Sequence, residues 1–151
     1  MNIINLLIKM ENNLREQFLG FYQTPFLFNN TITQLQLFEF DLINIDQINF
    51  SKLKIKQKLP LGKRVEQFFQ FYLSHSKRYN IIKQNIQIIH NKNTIGEIDF
   101  ILYDKLKMKT IHLELVYKFY LYDSTFNDGF HGYIGPNRDD TLVKKITKLK
   151  K

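Results

Sequence analysis

The chain has 151 residues with a net charge of +8, from 22 lysines and arginines against 14 acidic residues. Apolar residues make up 44% and aromatics 15%, with 14 phenylalanines, which describes a chain able to bury a core and not a disordered tail. The absence of cysteine excludes disulfides, thiolate zinc sites, iron–sulfur clusters and cysteine nucleophiles. The basic surplus favours a polyanionic partner, nucleic acid first. No stretch approaches the roughly 18 apolar residues that a membrane span needs, and no export signal is recognisable before Glu11, so no membrane partner is expected and the cytoplasm is the expected compartment.

Apolar residues at Leu6, Leu7, Leu14, Phe18 and Phe21 predict a helix over about residues 3 to 21, broken by Thr24-Pro25. Partial alternation from Thr33 to Leu42 predicts a strand. From Ser51 to Leu59 the alternation is sharp: Lys52, Lys54, Lys56 and Lys58 interleave with Leu53, Ile55, Gln57 and Leu59. Two readings fit those lysines, an edge strand protected against aggregation and a ribbon facing phosphates.

Pro60 and Gly62 precede an amphipathic helix with Leu61, Val65, Phe68, Phe69, Tyr72 and Leu73 on one face. Three strands are predicted next, at Asn85 to His90, Thr94 to Tyr103 and Thr110 to about Leu121. Their short links fit antiparallel hairpins. After a glycine- and aromatic-containing loop, Asp139 or Asp140 is placed to cap a last helix through Leu149. Lys144, Lys145, Lys148, Lys150 and Lys151 lie there, suited to phosphates or to the negative helix end.

The chemistry concentrates in two of these strands. Glu97 and Asp99 lie two apart in Gly96-Glu97-Ile98-Asp99-Phe100 and share one face. In the next strand, period two puts His112, Glu114, Val116 and Lys118 on one face and Ile111, Leu113, Leu115, Tyr117 and Phe119 on the other. A carboxylate between two leucines in a central strand is costly to bury alone. If neighbouring strands bring Asp99 and Glu114 together, a divalent cation relieves their repulsion, and an oxygen-only set suits Mg²⁺ or Mn²⁺. The plainer reading pairs these acids with lysines or leaves them in solvent at a sheet edge. The four histidines, His75, His90, His112 and His131, show no metal-ligand spacing, and no phosphate loop or dinucleotide fingerprint is present.

Gly96-Glu97-Ile98-Asp99 followed by a strand bearing Glu114 resembles the motif pair of the PD-(D/E)XK nuclease superfamily. More closely, the chain is similar to a bacterial family, domain of unknown function 1853. The resemblance includes Thr24-Pro25, Leu61-Gly62-Lys63-Arg64-Val65-Glu66 and Gly96-Glu97-Ile98-Asp99-Phe100. It continues through Glu114-Leu115-Val116-Tyr117-Lys118-Phe119-Tyr120-Leu121 and Gly135-Pro136-Asn137-Arg138-Asp139-Asp140-Thr141-Leu142.

The resemblance implies an α/β (α+β) fold, a restriction-endonuclease-like αβββαβ core with a mixed sheet. The expected organisation is a single domain, with residues 1–59 as a helical extension and 60–151 as core. It assigns Glu66 as the helix carboxylate, Asp99 as the motif aspartate and Glu114 as the strand carboxylate, with Mg²⁺ or Mn²⁺ on all three. The implied activity is metal-dependent hydrolysis of phosphodiester bonds in nucleic acid, DNA first. Glu66 also fits from its own position, at the border of the apolar stripe. Two departures stand out. The usual lysine position holds Val116, so Lys118 is expected to take that role, and the strand that should follow the last helix is missing, as in a truncated member. Lys52, Lys54, Lys56, Lys58, Lys144 and Lys145 are the candidate nucleic-acid contacts. The alternative is an inactive nuclease-fold module that binds nucleic acid or a protein partner.

Overall fold

The computed structural model describes residues 3–27, 35–56, 58–126 and 129–149, with side chains from residue 13 onward. It is a mixed α and β protein with three α-helices and antiparallel sheets among the described residues. The chain divides into two compact units, residues 1–25 with 39–115 and residues 26–38 with 116–151.

The first unit contains α1 (Ile3–Gln23), α2 (Leu61–His75) and a three-stranded sheet of β1 (Tyr79–His90), β2 (Asn93–Asp104) and β3 (Lys109–Leu113). Strand order is β1-β2-β3, antiparallel throughout. The mixed sheet that the resemblance implies is therefore not what the described strands form. Asn91 and Lys92 both take positive φ, 48° and 64°, which gives the two-residue hairpin turn whose twist matches its strands.

Aromatic rings fill the core of this unit. Phe18 of α1 is fully buried, with ring centroids 5.4 Å from Phe71, 5.5 Å from Phe50 and 6.1 Å from Phe68. Phe69 of α2 meets Phe100 of β2 at 5.1 Å and so ties helix to sheet. Val65, Phe68, Phe69, Tyr72 and Leu73 are buried as their spacing predicts, and Phe71 joins them from the flank. Leu61, expected on the same face, is exposed because it opens the helix beside Pro60. Leu6 and Leu7 lie outside the described side chains.

Two predicted strands are absent among the described residues. Thr33 and Gln34 fall outside the described residues, and residues 35–44 form no regular element. Side chains hold this stretch instead: Tyr72 Oη donates to the Asp41 carboxylate and Ser76 Oγ donates to it at 2.8 Å. The described residues of 51–59 form no strand either. Asn44 and Asn49 accept from the backbone N–H groups of Asp46 and Ser51, which closes two short 3₁₀ turns, Ile45–Gln47 and Phe50–Lys52. Lys58 then takes φ 68° just before Pro60. The burial alternation is nonetheless real, with Leu53 buried and Lys52, Lys54, Lys56 and Lys58 exposed. Gln57 is outside the described residues.

An ion network closes the far end of the sheet. Arg78 donates to both carboxylate oxygens of Asp104, at 3.0 and 2.7 Å, and to Glu39 at 2.8 Å. Asp104 is 2% exposed and also accepts the N–H groups of Leu106 and Lys107 in the β2–β3 turn.

The second unit pairs β4 (Leu121–Tyr122) with β5 (Tyr133–Ile134), followed by α3 (Leu142–Leu149). Gly132 is required by close approach: a Cβ there would stand 2.8 Å from the Tyr122 ring and 2.9 Å from the Asp123 carbonyl. The helix is capped by Thr141, whose hydroxyl accepts the Lys144 N–H at 3.2 Å, and not by Asp139 or Asp140 as expected. Asp140 is engaged elsewhere, its carbonyl accepting from Gly135 N–H at 2.8 Å in the turn before the helix.

Candidate functional site

β2 presents Glu97 and Asp99 on one face, because successive residues of a strand alternate. The residue after them, Phe100, is buried opposite Leu113 at the last ladder pair of β2 and β3. One further step along that register would set Asp99 against Glu114. The ladder stops there for a visible reason. Leu115 N–H donates to Asp99 Oδ2 at 2.8 Å, so a side-chain carboxylate takes the bond that a strand carbonyl would otherwise accept.

β3 is consequently shorter than expected. Glu114, Val116 and Lys118 lie beyond it, and Leu121 belongs to β4. Alternation in exposure still runs on from His112 to Tyr117, with His112, Glu114 and Val116 exposed and Leu113, Leu115 and Tyr117 more enclosed. Glu114 Oε1 is 2.9 Å from His112 Nε2, its neighbour two residues back on the same face.

Glu66 is set by α2. Its carboxylate lies 2.9 Å from the Lys63 ammonium, one helical turn back, and is largely enclosed. The same ammonium reaches across to Glu97 Oε1 at 3.6 Å. Lys63 is held above the ordinary lysine pKa, first by the Glu66 hydrogen bond and then by the charges of Glu66, Glu97 and Asp99 acting against burial. Helix α2 and strand β2 thus bring two carboxylates, Glu66 and Glu97, to one ammonium. Glu97 and Lys63 were not among the predicted site residues. The parity of Glu97 with Asp99 was a usable signal for the first, whereas nothing local marks the second.

The remaining candidates have other surroundings. Lys118 gives its ammonium to the Asp140 carboxylate within the second unit, which holds its pKa up. Lys144 donates to the Asp139 carbonyl at 3.1 Å, and Lys145 is partly buried. An open depression lined by Asp41, Lys77, Arg78, Lys105 and Leu106 shares no residue with the carboxylates. Its arginine is already committed to Asp104 and Glu39, so the chemistry does not point there.

Among the described residues, no three histidines or acids stand together as a ready metal cage. The charged groups that meet at the helix–strand contact are the Glu66 and Glu97 carboxylates and the Lys63 ammonium.

The family model described as Domain of unknown function (DUF1853) matches residues 35–151, and the chain belongs to that family. No curated protein and no solved structure matches the chain. No helix among the described residues is long and apolar enough to cross a membrane.

Proposed function

We propose that this chain is a metal-dependent nuclease-like protein of the PD-(D/E)XK kind, acting on phosphodiester bonds of nucleic acid, DNA first. The observation that carries the reading is the meeting of Glu66 and Glu97 at the Lys63 ammonium, with Asp99 on the same strand face as Glu97 and fixed by the Leu115 N–H.

In this reading Asp99, Glu114 and Glu66 hold Mg²⁺ or Mn²⁺. A bound ion of that kind activates water and offsets charge on a scissile phosphate. The protein's own contributions are separable from it. The Leu115 N–H fixes the Asp99 carboxylate, and His112 fixes that of Glu114. Exposed Lys52, Lys54, Lys56 and Lys58 supply a basic surface for the backbone of the substrate, and Lys144 and Lys145 a second. Lys118 is the lysine assigned to the phosphate's developing charge, a role that requires it to leave Asp140.

Specific observations favour a second reading, a module that binds without cutting. Val116 stands at the usual lysine position, and Lys118 is engaged by Asp140.

The two readings separate in one assay. Plasmid, linear DNA and RNA are incubated with the protein in Mg²⁺, Mn²⁺ or chelator, and binding is measured across a salt series. Metal-dependent cleavage is expected. Binding should weaken steeply with salt, with a log–log slope of about −3.6 if all four lysines of the 52–58 segment each release a counterion. Salt-sensitive binding without cleavage supports the module. Absent or salt-insensitive binding removes nucleic acid as the partner.

A further inference from the structure

We propose that the depression at the end of the three-stranded sheet, lined by Asp41, Lys77, Arg78, Lys105 and Leu106, is a binding site for a phosphate group. It shares no residue with the carboxylates assigned above, and the inference does not rest on the metal-site reading.

Arg78 is held in place before any ligand arrives. Its side chain is only 13% exposed. Nε and Nη2 donate to the two oxygens of Asp104, Nη2 donates also to Glu39, and the guanidinium carbon lies 4.9 Å from the centre of the Tyr79 ring. Those bonds spend Nε and Nη2 on the protein itself and fix the plane of the group. The third nitrogen, Nη1, has no partner among the described residues. A guanidinium locked in this way offers its remaining N–H groups to an oxyanion at little further cost in side-chain freedom.

Two lysines join it. Lys105 N–H donates to the Arg78 carbonyl at 2.9 Å, which brings the residue after β2 beside the residues before β1. Lys77 and Lys105 are both exposed, and neither forms an ion pair among the described residues. The acids nearby are already supplied with donors. Asp104 is answered by Arg78, and Glu39 by Arg78 and Lys107. Asp41 accepts from the Tyr72 and Ser76 hydroxyls, and its charge offsets one of the two free lysines. Over the depression and the Arg78 network one positive charge is left in excess, which a phosphodiester or a singly ionised phosphate answers. Lys77 alone would also suit the negative end of α2, which closes at His75. Lys105 stands in the β2–β3 turn and has no helix end to answer.

The test is calorimetric titration of the full chain with inorganic phosphate, at constant ionic strength set by sodium chloride. Wild type is compared with the double variant Lys77→Gln, Lys105→Gln and with the double variant Lys83→Gln, Lys92→Gln. Lys83 and Lys92 are exposed residues of the β1–β2 hairpin, so their loss removes the same net charge away from the depression. Arg78 is left intact, because its bonds to Asp104 hold the fold. Wild type should bind phosphate, the Lys77 and Lys105 variant at least about tenfold more weakly, and the Lys83 and Lys92 variant as wild type does. Fluorescence anisotropy with a short labelled dT oligonucleotide then separates the sources of the phosphate. A parallel loss of oligonucleotide affinity, confined to the Lys77 and Lys105 variant, assigns the site to a nucleic-acid backbone. Oligonucleotide affinity unchanged beside weakened phosphate binding assigns it to free phosphate or a small phosphorylated molecule. Phosphate binding that is absent, or equal in wild type and the Lys77 and Lys105 variant, overturns the inference. Equal weakening in both double variants overturns it as a net-charge effect.

Discussion

Asp104→Ala is expected to cost about 3 kcal/mol of folding stability, the lower end of the range for breaking a buried ion pair. The aspartate is 2% exposed, and Arg78 grips it with two hydrogen bonds. Alanine leaves that guanidinium with Glu39 and the Tyr79 ring and strips the β2–β3 turn of the acceptor for Leu106 and Lys107 N–H. In a chain of this size the loss corresponds to a fall of roughly 6 to 12 °C in melting temperature. Denaturant unfolding of both proteins checks it. A change below about 1 kcal/mol would show that Glu39 and water replace the lost carboxylate.

The same pair sets an acid dependence. The Arg78 guanidinium holds the Asp104 carboxyl at about 2, below its ordinary value, and the turn N–H groups add to this against burial. A group whose folded pKa is depressed contributes stability above its unfolded pKa, near 4, and loses it as pH falls through the folded value. Wild type should therefore lose its advantage over Asp104→Asn between about pH 4 and pH 2. A constant gap across that window would mean that the pair does not titrate with folding.

The contrast between legible and illegible parts follows from how far each feature depends on its neighbours. The apolar stripe of α2 and the β1–β2 hairpin are local patterns, and Val65, Phe68, Phe69, Tyr72, Leu73 and the Asn91-Lys92 turn could be read directly. The Lys52–Lys58 alternation is equally local and correctly predicts which side is wet. It does not reveal that Asn44 and Asn49 would satisfy the backbone with side-chain oxygens and replace a ladder with turns. β3 ends earlier than its alternation suggests for a related reason. Alternation persists through Tyr117, but the ladder ends at Leu113 because Asp99 intercepts the Leu115 N–H. Parity and hairpin length predict that Asp99 opposes Glu114, one step beyond the last ladder pair, Phe100 with Leu113. The meeting of Lys63 with Glu97 depends on how α2 lies against β2, and no spacing within either element encodes that.

Asp99→Ala should abolish Mg²⁺ and Mn²⁺ binding, yet that substitution alone would be ambiguous. Asp99 has two jobs in this structure: it supplies carboxylate charge to the cluster at Lys63, and it accepts the Leu115 N–H. Alanine removes both, and an orphaned backbone N–H in a part-buried position costs about 1 to 3 kcal/mol. Metal loss could then follow from a displaced Glu114, which lies next to Leu115 in the chain. Asp99→Asn separates the two effects, since the amide oxygen still accepts the N–H while the negative charge is gone. The asparagine protein should unfold within about 1 kcal/mol of wild type. Its Mn²⁺ affinity should nevertheless fall at least about tenfold, because a neutral amide oxygen neither repels the neighbouring carboxylates nor attracts the ion as a carboxylate does. Calorimetry on wild type, Asp99→Asn and Asp99→Ala, with melting curves on each, reads both quantities. If Asp99→Asn binds Mn²⁺ as wild type does while Asp99→Ala does not, Asp99 acts only by holding the Glu114 segment, and the ion is held by other oxygens.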